Sequence, residues 1–200
     1  MDRSRGAVFA AVALLVALPV AAQQGEAPPE MSPEEAAATA AWEAAATPGP
    51  EHERLAGMAG EWALTVSMWM QPGAEPVVSQ ASASRRMILG GRYLEEEVTG
   101  EFMGTEFVGR GLSGYDNVTG RHWGTWVDSA STALMESAGT WDEATSSLVM
   151  EGSYSDPMTG ARVPFRSVLK VVSPDEEVYT SWETRDGQEV KTMEIVSRRK

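Results

Sequence analysis

The chain has 200 residues, of which 42% are hydrophobic and 22% are charged; it contains no cysteine and carries a formal net charge of −13. This composition fits one globular domain with a short leader, and the lack of cysteine excludes disulfides, thiol nucleophiles and a cysteine-linked lipid anchor within this sequence. The acidic balance disfavours nucleic acids and anionic membranes as partners, because both need a basic surface, so we predict no nucleic-acid partner.

The first 22 residues have the pattern of a secretion signal. Arg3 and Arg5 form a basic start, and residues 7–17 form an apolar run that is short for a membrane-spanning helix. Val20-Ala21-Ala22 then places small residues before a cleavage site. We predict a signal peptide over residues 1–22 with cleavage after Ala22. The protein would then be periplasmic or secreted, with no membrane insertion after cleavage.

Residues 23–47 are predicted to be a flexible linker followed by an alanine-rich helix. Ser32 suits the N-cap, Pro33 suits the first helical position, and Glu35 completes a capping box. The helix offers mainly alanine methyl groups to a core, and these bury too little area to hold it in place. We therefore expect a mobile tether that Trp42 alone could pin to the domain.

The folded domain is predicted to span residues 48–200. It begins with a short helix over residues 51–59, in which we expect His52 to cap or pack the helix. From Trp62 to Met70, large apolar side chains recur at every second position, a period typical of a half-buried strand.

The stretch Gly109–Asp128 predicts a hairpin. Asp116, Asn117, Thr119 and Gly120 supply the side chains and the backbone freedom that close a loop of four or five residues. Asp156 to Gly160 repeats this pattern, Gly90-Gly91 is interpreted as a two-residue turn, and Asp186-Gly187 is a further hairpin signal. Turns also recur near Gly104, Ser129, Asp142 and Pro174.

These turns divide the domain into about ten strands without helices between them. An antiparallel meander of that length would leave two long bare edges unless it closed on itself. We therefore predict an all-β fold, a closed antiparallel up-and-down meander barrel of about ten strands, preceded by the N-terminal helix. A barrel of eight to ten strands encloses roughly one small ligand.

The glycines Gly109, Gly111 and Gly114 have the spacing G-x-G-x-x-G, which in other contexts binds dinucleotides. That motif requires a helix immediately after the glycines, whereas here Tyr115 leads into the Asp116 turn. We interpret the three glycines as strand positions where the sheet bends or where opposite side chains need room.

Several short motifs together resemble the bacterial domain-of-unknown-function 1579 family over about Pro48–Lys200. They are Thr47-Pro-Gly-Pro-Glu-His-Glu-Arg-Leu55, Gly60-x-Trp62, Leu89-Gly-Gly-Arg-Tyr-Leu94, Gly114-Tyr-Asp-Asn117, Thr125-Trp-Val-Asp128 and Gly139-Thr-Trp-Asp142. The resemblance implies a lipocalin-like barrel of the calycin type and implies no activity. It also implies that Trp62 closes one end of the barrel against an arginine of the last strand, for which Arg198 and Arg199 are candidates.

The inward faces of the strands suggest a small-molecule site. Leu148 to Tyr154 and Val163 to Val171 each have one clearly apolar face, whereas the faces of residues 119–140 are mixed. Small and polar residues among apolar ones leave the space and the hydrogen-bonding groups that an amphiphilic ligand needs. We predict binding of a small apolar or amphiphilic ligand, and the candidate ligand-binding residues are Trp126, Met135, Tyr154 and Phe165.

An enzymatic alternative is an isomerase or hydrolase in which Asp128 is the general base and His122 or Arg166 its partner. It requires Asp128, Trp126 and Arg166 to converge on one cavity. A simpler interpretation is that Asp128 caps the turn that follows it. A third possibility is a structural or interaction module, which a filled interior and an apolar outer patch at Trp42 or Trp69 would favour.

Metal and cofactor binding have few candidate ligands, since His52 and His122 are the only histidines in the sequence. We predict no metal and no cofactor. Related haem-carrying barrels hold iron through one histidine on the wall, which leaves a haem role for His122 as an alternative. The simpler interpretation places His122 on the surface beside the turn.

Overall fold

Turn-forming residues divide the domain into ten strands in a computed structural model that describes residues 31–185 and 187–200. The strands are β1 (Gly60–Met68), β2 (Val77–Ile88), β3 (Tyr93–Phe102), β4 (Thr105–Asp116), β5 (Arg121–Asp128), β6 (Met135–Asp142), β7 (Ser147–Ser155), β8 (Arg162–Ser173), β9 (Glu176–Arg185) and β10 (Gln188–Arg199). Two helices precede them, α1 (Pro33–Ala46) and α2 (Pro50–Gly57). The predicted signal peptide, the linker before Met31, and Asp186 lie outside the described residues.

Every strand pairs antiparallel with its neighbours in sequence, and the first strand also pairs with the last. In that closing pair Trp62 lies opposite Arg199, and Met68 lies opposite Met193. The predicted closed meander barrel of about ten strands with an N-terminal helix is therefore confirmed. Closure leaves no bare edge on β1 or β10.

The Asp116 hairpin has the predicted turn chemistry. The Asp116 carboxylate accepts hydrogen bonds from the Val118 amide and the Thr119 hydroxyl, each at 2.8 Å. The Asp156 turn repeats the pattern, since its carboxylate accepts from the Met158 amide at 2.7 Å. These two hairpins are confirmed.

The turn at Gly90-Gly91 is longer than predicted. Ile88 and Tyr93 form the last pair of β2 and β3, so the loop has four residues rather than two. Leu89 also adopts a positive φ of 48°. The sequence pattern located the two glycines correctly but missed that Leu89 and Arg92 belong to the turn.

Helix α1 begins as predicted, with the Ser32 and Glu35 side chains forming the capping box. None of its residues is buried, and Trp42 is 78% exposed. Its C-terminal end contacts the Asp116 turn, because the Asn117 side-chain Nδ2 donates to the carbonyls of Ala44 at 3.1 Å and Thr47 at 2.8 Å. The mobility of the tether and the domain boundaries at residues 22 and 47 stay predictions.

Helix α2 closes one end of the barrel, which we call the closed end. Leu55 and Met58 are buried against Leu94 of β3. His52 accepts a hydrogen bond from the Gly49 amide through Nδ1 at 3.0 Å, so it caps the helix as expected. None of the described helices is long and apolar enough to cross a membrane.

The start of β1 is fastened to this closed end by Arg199. Its guanidinium donates to the carbonyls of Gly57 at 2.9 Å and Ala59 at 2.6 Å, and it lies 4.3 Å from the Trp62 ring centroid. Gly60 has a φ of +131°, and a Cβ there would collide with the Arg199 guanidinium, so the position requires glycine. The expected tryptophan–arginine contact is confirmed with Arg199, whereas Arg198 pairs with Glu176.

Candidate functional site

A cavity of about 450 Å³ lies inside the barrel and extends from α2 towards the opposite end, which we call the far end. Much of the lining is apolar and includes Leu64, Val66, Val98, Met150 and Phe165. Cavities of this size and character hold small organic molecules in other proteins. The strand faces that the sequence showed to be mixed therefore line an internal cavity.

Three of the four predicted ligand-binding residues line this cavity, namely Trp126, Met135 and Phe165. Tyr154 is not among the lining residues. It lies next to the end of β7, where its hydroxyl donates to Glu183 at 2.9 Å. Burial, and then the Glu183 carboxylate, raise the pKa of Tyr154 to about 12. Its place on the cavity wall was predicted from strand alternation, which does not show where along the strand the cavity ends.

Trp126 occupies space that two glycines leave open. A Cβ at Gly109 would collide with the Trp126 indole, and one at Gly111 would lie 3.3 Å from its Cε3 atom. The indole Nε1 donates to Asp128 at 2.9 Å, which fixes the orientation of the ring. The interpretation of these glycines as positions that make room for opposite side chains is confirmed.

A buried charge cluster lies at the closed end of the cavity, which we call its floor: Arg85 and Glu96 line the cavity, and Glu177 lies behind them. The Arg85 Nε donates to Glu96 at 2.7 Å, and Nη1 donates to Glu177 at 2.5 Å. The Arg85 side chain is 9% exposed and that of Glu177 only 2%. Burial alone lowers the pKa of Arg85, but the two carboxylates outweigh it and hold this pKa above its ordinary value.

The cluster connects the cavity to the closed end. Arg85 lies 5.2 Å from the Trp62 ring centroid, so two guanidinium groups contact this indole, the other being that of Arg199. Tyr179 also lines the cavity, and burial raises the pKa of its phenol. We did not predict the cluster, although Arg85 and Glu96 continue the inward alternation of Ala83 and Val98.

The three candidate catalytic residues are not brought together. Asp128 lies at the far end, where it lines the cavity and its carboxylate caps the next turn by accepting from the Ala130 amide at 2.9 Å. Arg166 lies outside the cavity lining, pairs with Glu189 at 2.7 Å and lies over Trp182. The convergence that the enzymatic alternative requires is therefore not found. The capping role of Asp128 is confirmed.

His122 was expected on the surface, and this expectation is wrong, since the residue is 2% exposed. It begins the inward face of β5, and its Nε2 lies 3.0 Å from a carboxylate oxygen of Glu51 on α2. A carboxylate only accepts, so Nε2 carries the proton and Nδ1 is left as an acceptor. Nδ1 has no partner among the described residues. His122 thus fastens α2 to the barrel outside the cavity lining.

We expect the protein to lose stability as the pH falls below about 6.5, because of His122. Burial lowers the pKa of His122 in the folded state, Arg54 and His52 add to this lowering, and Glu51 opposes it. Below its ordinary pKa of 6.5 the unfolded chain therefore binds a proton that the folded chain resists. The loss is at most about 1.4 kcal/mol per pH unit for one group.

Urea unfolding at about pH 7.5 and about pH 5.5 measures this loss. The control is His122→Asn, which should be less stable than the wild type at both pH values and should have a flatter pH dependence. Glu51 does not interfere with this measurement. Burial raises its pKa, but hydrogen bonds from Arg54 and His122 outweigh burial and hold the pKa below the ordinary 4.5. The stability that Glu51 contributes is therefore lost only at lower pH. Equal slopes in the two proteins would contradict the assignment.

In the described residues no group of three or more histidine and acidic side chains could hold a metal ion.

The sequence matches a known protein family. A family described as "Protein of unknown function (DUF1579)" matches residues 47–199. A search of curated proteins found no match.

The fold is similar to that of several solved structures. The crystal structure of Rv2717c from M. tuberculosis has a TM-score of 0.59 at 15% identity, over 77% of this chain and 99% of that one. The S-type phycobiliprotein lyase CPES from Guillardia theta has a TM-score of 0.50 at 12% identity, over 75% of this chain and 92% of that one. At these identities the similarity concerns the fold, a lipocalin-like barrel.

Proposed function

We propose a ligand-binding function for this chain, which belongs to the family of proteins of unknown function DUF1579. Its barrel binds one small apolar or amphiphilic molecule. The observation that carries the proposal is the cavity of about 450 Å³, with apolar walls and polar groups at its floor. A cavity that water alone fills would leave those apolar walls hydrated, which is unfavourable, so an apolar guest gains free energy by entering. Trp126, Met135 and Phe165 are the proposed contacts.

Titration with Nile red, an uncharged dye whose emission rises in apolar surroundings, tests the proposal. We expect one saturable site per barrel and a matching change in tryptophan emission, because Trp126 lines the cavity. Ser137 also lines the cavity, so Ser137→Trp should fill part of it and weaken binding at least about tenfold, or about 1.4 kcal/mol.

The matched control is Glu136→Trp, which adds the same side chain at an exposed position one residue earlier in β6. It should bind the dye like the wild type. If the wild type shows no saturable site, or if both variants bind as it does, the cavity is not a binding site.

The alternatives receive less support from the geometry. A filled interior would favour a structural or interaction module, but the interior of this barrel contains a cavity. The isomerase or hydrolase needs Arg166 inside, whereas Arg166 pairs with Glu189 outside the cavity lining. Ligand binding without chemistry is therefore the proposed function.

We also propose that the protein acts after export, in the periplasm or outside the cell. The support is the leader-like sequence of residues 1–22, with its basic start and its apolar run. Mass spectrometry of the protein recovered from the periplasmic fraction or the medium of an expressing bacterium should show Gln23 as the first residue. Recovery of the full-length chain from the cytoplasm alone would contradict export.

A further inference from the structure

The charges that face the cavity are mostly negative. Its described lining contains one basic residue, Arg85, and two acidic residues on the inward strand faces, Glu96 and Asp128, whereas Glu101 borders the cavity but is exposed. Glu177 lies behind the lining, beside Arg85, and is the third carboxylate of this region. Within low-dielectric walls this balance attracts a positively charged ligand and repels an anion.

Arg85 by itself would suggest a site for a carboxylate, as in any apolar pocket with a buried guanidinium. Its Nε and Nη1 groups, however, already donate to Glu96 and Glu177. The charge of Arg85 is already balanced by two carboxylates. An entering carboxylate would therefore find no unbalanced positive charge and would be repelled by Glu96 and Glu177. The cluster therefore disfavours a fatty-acid head group at the floor.

Glu96 has one oxygen available to a ligand. Its Oε1 accepts from Arg85, whereas Oε2 has no donor within hydrogen-bonding distance in the described part of the chain. Oε2 lies on the cavity side of β3, 3.6 Å from the point where Gly111 would carry a Cβ. The Glu96 side chain is 25% exposed, so this oxygen is open to a hydrogen-bond donor on a bound molecule.

An aromatic ring borders the same space that Gly111 leaves open. The Cβ position of Gly111 is also 3.3 Å from Cε3 of Trp126, so a head group held by Glu96 Oε2 would lie next to this indole. A carboxylate combined with an aromatic ring is a favourable environment for an ammonium group, through charge and through the cation–π interaction.

We propose that the ligand is an amine with an apolar tail, whose ammonium group binds between Glu96 and Trp126 and whose tail contacts the apolar wall towards Met135 and Phe107. Both of those residues line the cavity. This inference rests on the proposed ligand-binding function and specifies the ligand class for the same cavity.

Competition of three probes with one tail and different heads tests it. Decylamine, decanol and decanoate, each below its aggregation limit at neutral pH, are titrated against bound Nile red. We expect decylamine to bind at least about tenfold more tightly than decanol, and decanoate to bind most weakly.

Glu96→Gln removes the charge and keeps the shape. It should weaken the binding of decylamine about tenfold, leave that of decanol unchanged and strengthen that of decanoate. General damage to the cavity would instead weaken the binding of all three probes. The control is Glu97→Gln on the same strand, whose carboxylate pairs with Arg110 on the exposed side and which should not change the order.

The outcomes separate the two proposals. If decanol displaces the dye but decylamine does not bind better than decanoate, or if Glu96→Gln leaves the order unchanged, ligand binding stands and the amine inference fails. If neither the dye nor any probe binds, both fail. If Glu96→Gln does not fold, as judged by its thermal melt, the wild-type order of the three probes decides.

Discussion

Trp62→Ala is expected to lower the free energy of unfolding by about 3–5 kcal/mol, as deletion of a fully buried aromatic side chain usually does. Trp62 is 1% exposed and packs with Leu64, Ala83 and Val98. Its Nε1 donates to the Met58 carbonyl at 3.0 Å, and Arg199 lies against its ring. The substitution would thus leave a void in the core, an unpaired carbonyl and a guanidinium without its aromatic partner.

Urea unfolding followed by circular dichroism measures this loss. The control is Trp42→Ala, since Trp42 is 78% exposed on α1 and its removal should change stability by no more than about 0.5 kcal/mol. A Trp62 variant as stable as the control would show that closure of the barrel does not depend on this indole.

Arg85→Leu is expected to cost about 3–5 kcal/mol, because removing one partner from a buried ion pair leaves the other charge uncompensated. That charge is Glu177, whose side chain is 2% exposed and whose contact with Arg85 is at 2.5 Å. The leucine fills part of the guanidinium volume, so the loss reports the charge more than the packing.

Two further variants separate these contributions. Arg110→Leu removes an exposed arginine from its pair with Glu97 on the outer face, and should cost about 0–1 kcal/mol. The double substitution Arg85→Leu with Glu177→Gln should recover part of the loss, because the buried charge is then gone. A double variant less stable than the single one would show that Glu177 stabilises the fold through contacts other than Arg85.

Local chemistry predicted much of the fold. Hairpins such as the one at Asp116 depend on a few adjacent residues, and the period of two from Trp62 predicts which face of the first strand points inward. Both patterns can be read from a short stretch of sequence. The contact between Trp62 and Arg199 came from the family resemblance, because its partners are far apart in the chain.

The site was predicted less well, because it depends on which strands are neighbours and at what height. Arg85, Glu96 and Glu177 lie in three separate strands, so no local pattern shows that their charges meet. Arg86 and Glu95 resemble them in the sequence, yet these two pair with each other on the exposed side. His122 was misplaced for a related reason, since its partner Glu51 belongs to a helix that precedes the first strand.

The pairing of β1 with β10 has a consequence for how the chain folds. The other nine pairs join strands that are consecutive in sequence, whereas the closing pair joins the first strand to the last and places Trp62 opposite Arg199. Local hairpins form quickly, and contacts between distant residues carry a larger loop-closure entropy and form slowly. The nascent sheet is therefore expected to exist first as an open intermediate with two bare edges. Until the last strand docks, another copy of the chain can add to either edge, so the yield of refolding should fall as protein concentration rises.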